Sequence, residues 1–385
     1  MKILQVHNYY RLAGGEDTVV ANEKALLEEH GHAVIPFYKR NEEIDDYSFV
    51  QKAKLIKKTT WSNESYAEAL SILKQVQPDV CHVHNFLPLI SPSIYQACRD
   101  AGVPVVQTLH NYRLICTNGL FLRDGKVCED CLGKSAYSAV RKKCYRNSMA
   151  QTYAVARMIE KNNARNVWTD LVDAYFCFTD FAKEKFVAHG LPKDKLFVKS
   201  NFVKAPKAIE TSSKKEDYFI YVGRLESNKG VLLLKQISAQ LQLPVKVVGE
   251  GDLKVELEGI PSIELLGKRP HEETLELIQN ARALLFPSLC YEGMPMTILE
   301  AFAHKTLVIS SDLGAMQSII QHGQNGLLFA PGNDEELMKQ IARASDEKEV
   351  QLMVDNAYGD FLEKYSGEAN YAMLMERYES VISKG

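Results

Sequence analysis

No run of apolar residues in this 385-residue chain approaches the roughly 18 that a membrane-spanning helix needs. The apolar start, Met1–His7, is broken at Gln5 and stops at His7, short of an export segment, so the expected compartment is the cytosol. There is no internal repeat and no low-complexity tract. The Gly-x-Gly-x-x-Gly spacing is missing, which counts against a dinucleotide cofactor. Strong net charge is missing too: the formal value is -3, which argues against nucleic acid as the main partner. The charge is unevenly spread, with excess Lys and Arg through Asn201 and excess Asp and Glu after it. A basic first half suits an anionic substrate or the anionic inner face of a membrane, and equally suits plain solvated charge. No signal of oligomeric state is legible.

With 46% hydrophobic and 25% charged residues the composition is that of a globular protein, and the length suits two domains. Strand-like segments are Ile3–His7, Ala33–Tyr38, Val80–His84, Val103–Leu109 and Ala174–Thr179, then Phe219–Gly223, Val245–Val248, Ile263–Leu265, Ala283–Pro287 and Leu307–Ser310. Helical patterns, such as Val19–Glu29, separate most of them. Strands alternating with helices predict an α/β protein with parallel sheets. The polar stretch Lys204–Asp217, with Pro206 and Thr211-Ser212-Ser213, reads as a linker. The expected organisation is therefore two Rossmann-like domains facing a cleft, residues 1–203 and 218–359. A helix over 360–385 is expected to cross back onto the first domain.

The most specific motif is Glu292-Gly-Met-Pro-Met-Thr-Ile-Leu-Glu300, directly after a strand. Pro295 suits the first turn of a helix, where its missing N–H leaves nothing unpaired. The Gly293 and Met294 amides then sit at a positive helix end, with Glu292 in the loop and Glu300 further along the helix. Two acceptors so separated suit the two ends of an elongated ligand such as a nucleotide sugar. A second strand-to-loop motif is Tyr221-Val-Gly223-Arg224-Leu-Glu-Ser-Asn-Lys229-Gly230. Arg224 offers a bidentate fork and Lys229 a point charge, a pair suited to a departing diphosphate. They would take the place of a divalent ion, and no Asp-x-Asp pair exists to hold one. Gly14 and Gly15, in Ala13-Gly14-Gly15-Glu16, lie between first strand and first helix, where glycines let backbone approach an anion; an ordinary tight turn explains them equally well. His110 closes the strand Val103–Leu109 and His84 closes another; a satisfied structural histidine is the alternative for each.

This ordered set resembles the retaining GT-B glycosyltransferases of the family-4, group 1 type, over essentially the whole chain. The resemblance implies sugar transfer from a nucleoside-diphosphate-sugar to a glycan or lipid-linked acceptor, in the assembly of a bacterial surface polysaccharide or lipid-linked glycan. It implies no catalytic cofactor. Glu292 would hold donor-sugar hydroxyls and Glu300 the ribose, with the residues between them, Gly293, Met294, Pro295, Met296 and Thr297, completing that wall. Arg224 and Lys229 would bind the diphosphate beside Gly223, with Gly14 and Gly15 approaching from the other domain. His110 would contact the donor sugar, so that His110, Glu292, Arg224 and Lys229 carry the chemistry. Gly249, Gly251, Lys268 and Arg269 would receive the nucleobase. One departure from the family pattern is Asn111, where many relatives carry Asp. Alternative readings are a catalytically silent binding subunit, or an epimerase or phosphorylase of the same architecture.

Within the irregular segment 111–147 lie Cys116, Cys128, Cys131 and Cys144, which could form a structural zinc site of four thiolates or remain thiols. Basic and apolar residues then interleave from Arg141 to Met158. That pattern fits a helix resting on a membrane surface or, by the preferred reading, one packed on the first domain.

Overall fold

The computed structural model describes residues 1–11, 14–206 and 215–383. Ala13, the Thr211-Ser212-Ser213 run of the linker, and the last two residues lie outside the described residues. The chain divides into two compact units. One comprises Met1–Phe121, Glu129–Lys199 and Tyr371–Gly385; the other comprises Leu122–Cys128 and Ser200–Asn370.

In chain order the strands are β1 (Lys2–Tyr9), β2 (Ala33–Arg40), β3 (Val80–Val83), β4 (Val105–Thr108), β5 (Leu122–Arg123), β6 (Lys126–Val127), β7 (Ala174–Cys177) and β8 (Leu196–Val198). They continue as β9 (Phe219–Val222), β10 (Val245–Val248), β11 (Ile263–Gly267), β12 (Ala283–Phe286), β13 (Leu307–Ser311) and β14 (Leu327–Phe329). The first unit holds a parallel sheet ordered β2-β1-β3-β4-β7-β8. The second holds a parallel sheet ordered β11-β10-β9-β12-β13-β14. β5 and β6 pair as a separate antiparallel hairpin.

Apolar runs such as Val80–Val83 and Ala283–Phe286 are buried at every residue, as parallel strands covered on both faces must be. The outer strands β8 and β14 were not legible in advance. Each is three residues long, too short to show a period, and is fixed by its neighbour: Tyr175 pairs with Leu196, and Ile309 with Leu327. The expected helix over Asp360–Ser383 is instead interrupted. A helix Glu347–Asp360 runs into a π-turn at Phe361–Tyr365, and a new helix occupies Gly367–Ile382. Ser366 separates them because its hydroxyl accepts from the Ala369 amide, at 3.3 Å, and so starts the second helix. Leu374, Tyr378 and Val381 of that helix belong to the first unit's core, with Ile3, Val80, Val106 and Phe176. Among the described residues no helix is long and apolar enough to cross a membrane.

Strand order reverses in each sheet, between β1 and β3 and between β9 and β12. Loops leaving the carboxyl ends of such strands diverge and leave a crevice. Gly14 and Gly15 follow β1, Gly223, Arg224 and Lys229 follow β9, and Glu292 follows β12.

Candidate functional site

In the second unit the loops after β9 and β12 meet. Lys229 Nζ lies 2.8 Å from both carboxylate oxygens of Glu292. Ser288 donates to Glu292 Oε1 at 2.6 Å. Burial draws the Lys229 ammonium towards neutrality, but Glu292 outweighs it and raises the group above the usual lysine value. The two loops can approach this closely because of two glycines. Gly230 has φ +68, and a Cβ there would fall 1.8 Å from the Pro287 carbonyl oxygen. Gly249 has φ +143, and its Cβ would fall 1.9 Å from the Gly223 carbonyl oxygen. The Leu289 amide closes the junction by donating to the Asn228 carbonyl at 2.9 Å.

Arg224 stands apart from that pair. Its guanidinium donates to Glu226 at 2.9 Å and its side chain is 62% exposed. Its carbonyl accepts from the Tyr221 hydroxyl, also at 2.9 Å, which fixes the backbone at Gly223. Pro295 is the residue immediately before the helix Met296–Ala303 rather than inside its first turn, with extended backbone. Its carbonyl accepts from the Ile298 amide at 3.1 Å. Met294 is buried, and its sulfur accepts from the Asn201 amide at 3.1 Å. Thr297 and Met296 open the helix, and Glu300 lies four residues along it, buried and 3.9 Å from His271. Burial raises the Glu300 carboxyl and His271 opposes that rise. Gly251 passes against the Leu225 carbonyl. Lys268 and Arg269 are exposed, Arg269 reaching Glu273 at 3.4 Å. So the structure gathers Lys229 and Glu292 directly, and leaves Arg224, Lys268 and Arg269 as exposed cations.

In the first unit a buried polar chain lies behind His110. His110 Nε2 is 3.0 Å from His84 Nδ1. His84 Nε2 is 3.2 Å from Glu23 Oε1, and His82 Nδ1 is 2.9 Å from the same oxygen. The other Glu23 oxygen accepts from Lys199 Nζ at 3.0 Å, and both side chains are essentially inaccessible. His82 also reaches Tyr378 at 2.6 Å and Thr108 at 2.8 Å. Burial first, then the neighbouring imidazoles, hold His84 down to about 3 and His110 well below the usual value, so both rings are neutral. Burial alone would raise Glu23; Lys199, His82 and His84 overturn that and keep it ionised. Nothing in the sequence marked Glu23 or Lys199 except charges at positions where the apolar face of a helix and the end of a strand were due.

Gly14 precedes the helix Gly15–Glu29, and its amide donates to Asp17 at 3.0 Å. Glu16, next to these glycines, meets Asn85 at 3.3 Å and Asn111 at 3.4 Å. Burial pushes its carboxyl up to about 7, against the opposing charge of Arg113. Asn111 thus gives Glu16 an amide donor where Asp would give a second carboxylate.

Of the four clustered cysteines, Cys116, Cys131 and Cys144 belong to the first unit and Cys128 to the second. Cys116 donates to Asn118 at 3.0 Å, and Cys131 lies 3.7 Å from Ser138. Among the described residues, ligand atoms within 4.8 Å of one another come together at Glu23, His82 and His84, and at His7, Glu16 and Asp17. The first set already holds a cation, the Lys199 ammonium.

The helix Met149–Asn163 packs one face into the first unit and exposes Met149 and Tyr153. Val155, Met158 and Ile159 are buried, and Arg157 donates to Thr60 at 2.8 Å.

Comparison with known proteins agrees with this architecture. Solved structures similar to the chain include HepE of Anabaena in complex with UDP, with a TM-score of 0.70, 16% identity, and coverage of 99% of this chain and 100% of that one. Sucrose-phosphate synthase from Thermosynechococcus elongatus matches with a TM-score of 0.71 and 16% identity, over all of both chains. These likenesses establish the GT-B fold. An uncharacterised glycosyltransferase of Methanocaldococcus jannaschii is 24% identical over 325 residues, 80% of this chain and 77% of that protein. The D-rhamnosyltransferase WbpZ of Pseudomonas aeruginosa is 32% identical over 122 residues, 30% of this chain and 32% of its own length. The putative teichuronic acid biosynthesis glycosyltransferase TuaC of Bacillus subtilis is 30% identical over 165 residues, 42% of either chain. The chain therefore spans under half of those two bacterial relatives. The model of Glycosyltransferase Family 4 matches residues 13–205 and that of Glycosyl transferases group 1 matches residues 216–347, and the chain belongs to this glycosyltransferase family.

Proposed function

We propose that this glycosyltransferase moves a sugar from a nucleoside-diphosphate donor to a glycan or lipid-linked acceptor, with retention at the anomeric carbon and without a catalytic metal. Residues 218–359 take the donor and residues 1–203 take the acceptor. The observation that carries this reading is the Lys229–Glu292–Ser288 cluster at the strand-order reversal of the second sheet. It presents a fixed cation and an acceptor side by side, on loops that two glycines let pack closely. Lys229 stabilises the charge that grows on the leaving diphosphate, and the exposed Arg224 leaves Glu226 for the same group. Glu292 accepts from donor-sugar hydroxyls, and Glu300 from the ribose. His110, kept neutral, hydrogen-bonds the sugar without adding charge.

Transfer breaks the bond between the anomeric carbon and the diphosphate oxygen and forms one to the acceptor oxygen on the same face. The acceptor proton passes to the departing phosphate oxygen, so no protein base is consumed. HepE crystallised with UDP and with UDP-glucose supports a uridine donor as the first to try. The relatives named for teichuronic acid synthesis and O-antigen mannose transfer support a surface-glycan acceptor. The test is protection against thermal unfolding by UDP, GDP, ADP, dTDP and CMP, with EDTA throughout. Protection by one diphosphate, abolished in Lys229→Ala, is expected; no protection by any of them at millimolar concentration would sink the reading.

A further inference from the structure

The contacts of the buried chain behind His110 fix where its protons sit. Glu23 is fully buried, and its Oε2 accepts from the Lys199 ammonium at 3.0 Å. Two imidazole nitrogens face Oε1, His82 Nδ1 at 2.9 Å and His84 Nε2 at 3.2 Å, and no other donor reaches it among the described residues. A ring nitrogen that turned its lone pair to a carboxylate oxygen would set two acceptors against each other away from water. His84 Nε2 therefore carries a proton. The ring is neutral, so its Nδ1 is a lone pair. That lone pair lies 3.0 Å from His110 Nε2, which supplies the N–H of the contact. His110 is neutral too, and its Nδ1 is left as a lone pair. His110 is half-buried, and its Nδ1 makes no hydrogen bond among the described residues.

Gln5 offers the opposite arrangement, in which His84 Nε2 would accept. Its amide nitrogen lies 3.4 Å from that ring atom, but it also has the Val20 carbonyl at 3.3 Å, and its oxygen accepts from the Tyr38 hydroxyl. The Glu23 carboxylate is the closer partner of His84 and, being charged, the stronger one, so it decides the ring.

We propose that Glu23 is a positioning residue acting through His84: held by Lys199, it fixes His84 and His110 as the tautomers protonated at Nε2. His110 then offers an acceptor, and not a donor, to the substrate hydroxyl it meets, a role that rests on the transfer reading above. Glu23→Gln reverses the chain while keeping its shape. The Lys199 ammonium demands an acceptor, so the glutamine oxygen takes the place of Oε2 and the amide NH2 faces the imidazoles. His84 Nε2 then accepts, and its Nδ1 becomes the N–H that donates to His110 Nε2. The remaining His110 proton moves to Nδ1, so the ring offers a donor where an acceptor stood.

Nitrogen NMR of the full chain, isotope-labelled at histidine and free of nucleotide and sugar, reads the tautomers directly. Signals lost in His84→Ala and in His110→Ala identify the two rings. Both are expected to carry the proton on Nε2, and both to carry it on Nδ1 in Glu23→Gln. In that variant kcat should fall by about 30-fold or more, with donor KM little changed. A proton on Nδ1 of either ring in the unsubstituted protein overturns the proposal, and this spectrum decides alone where Glu23→Gln does not fold. Unchanged tautomers in a folded Glu23→Gln, or reversed tautomers with kcat intact, also overturn it. The expected tautomers in a protein that transfers no sugar would uphold the proton positions and overturn the transfer reading instead.

Discussion

His84 stands between His110 and Glu23, with one ring nitrogen 3.0 Å from the His110 imidazole and the other 3.2 Å from the Glu23 carboxylate. The orientation of His110 is thereby set from the buried side of the sheet rather than by the loop that carries it. His84→Ala removes that support and leaves His110 in place. The expected result is a fall in kcat on the order of 10²-fold, with donor KM little changed, as for a displaced reacting group. Steady-state kinetics separates the two constants, and an unchanged kcat would reduce the chain of histidines to packing.

Lys199 and Glu23 form a buried pair, so losing one removes the nearest counter-charge of the other. Lys199→Met should cost about 3–5 kcal/mol in urea unfolding. Adding Glu23→Gln should recover much of that loss. A double variant as unstable as the single one would mean that the pair contributes only shape.

Glu16 has its carboxyl pushed up to about 7 by burial, above the ordinary value of 4.5. Between those values the folded protein binds the extra proton, so stability falls as pH rises from about 4.5 to 7, by up to about 3 kcal/mol. Glu16→Gln should flatten unfolding free energy across that window. Asn111→Asp places a second carboxylate against Glu16 and should steepen the loss. Denaturation series at pH 5 and pH 8 compare the three proteins.

Lys229→Met should abolish nucleotide protection, because the fixed cation is gone. Glu292→Gln keeps a hydrogen-bonding group beside the lysine and should retain protection. Its rate of transfer should still fall by about 10²–10³-fold if the carboxylate stabilises the transition state. Retained protection in Lys229→Met would put the diphosphate elsewhere.

Gly230→Ala drives a methyl group into the Pro287 carbonyl in a left-handed backbone conformation. It should cost more than about 3 kcal/mol, and would separate the Lys229 loop from the Glu292 loop. Gly14→Ala meets nothing within 4 Å and should cost less than about 1 kcal/mol. Thermal unfolding of the two variants gives the contrast.

The periodic pattern of the chain determined ten of the strands, their alternation with helices and so the two parallel sheets. The reason is that a strand buried on both faces must be apolar throughout. It also marked Glu292 and Lys229, since glycine and proline directly after a strand limit what the backbone can do. Their contact was not legible: 63 residues separate them, and only the reversal of strand order between β9 and β12 brings their loops together. The three-residue strands β8 and β14, and the break at Ser366, depended on pairing and capping partners rather than on a period of their own. Glu23 and Lys199 show the limit most sharply. Each is a charge on a face that periodicity assigns to the core, and only the fold supplies the counter-charge that lets it stay there.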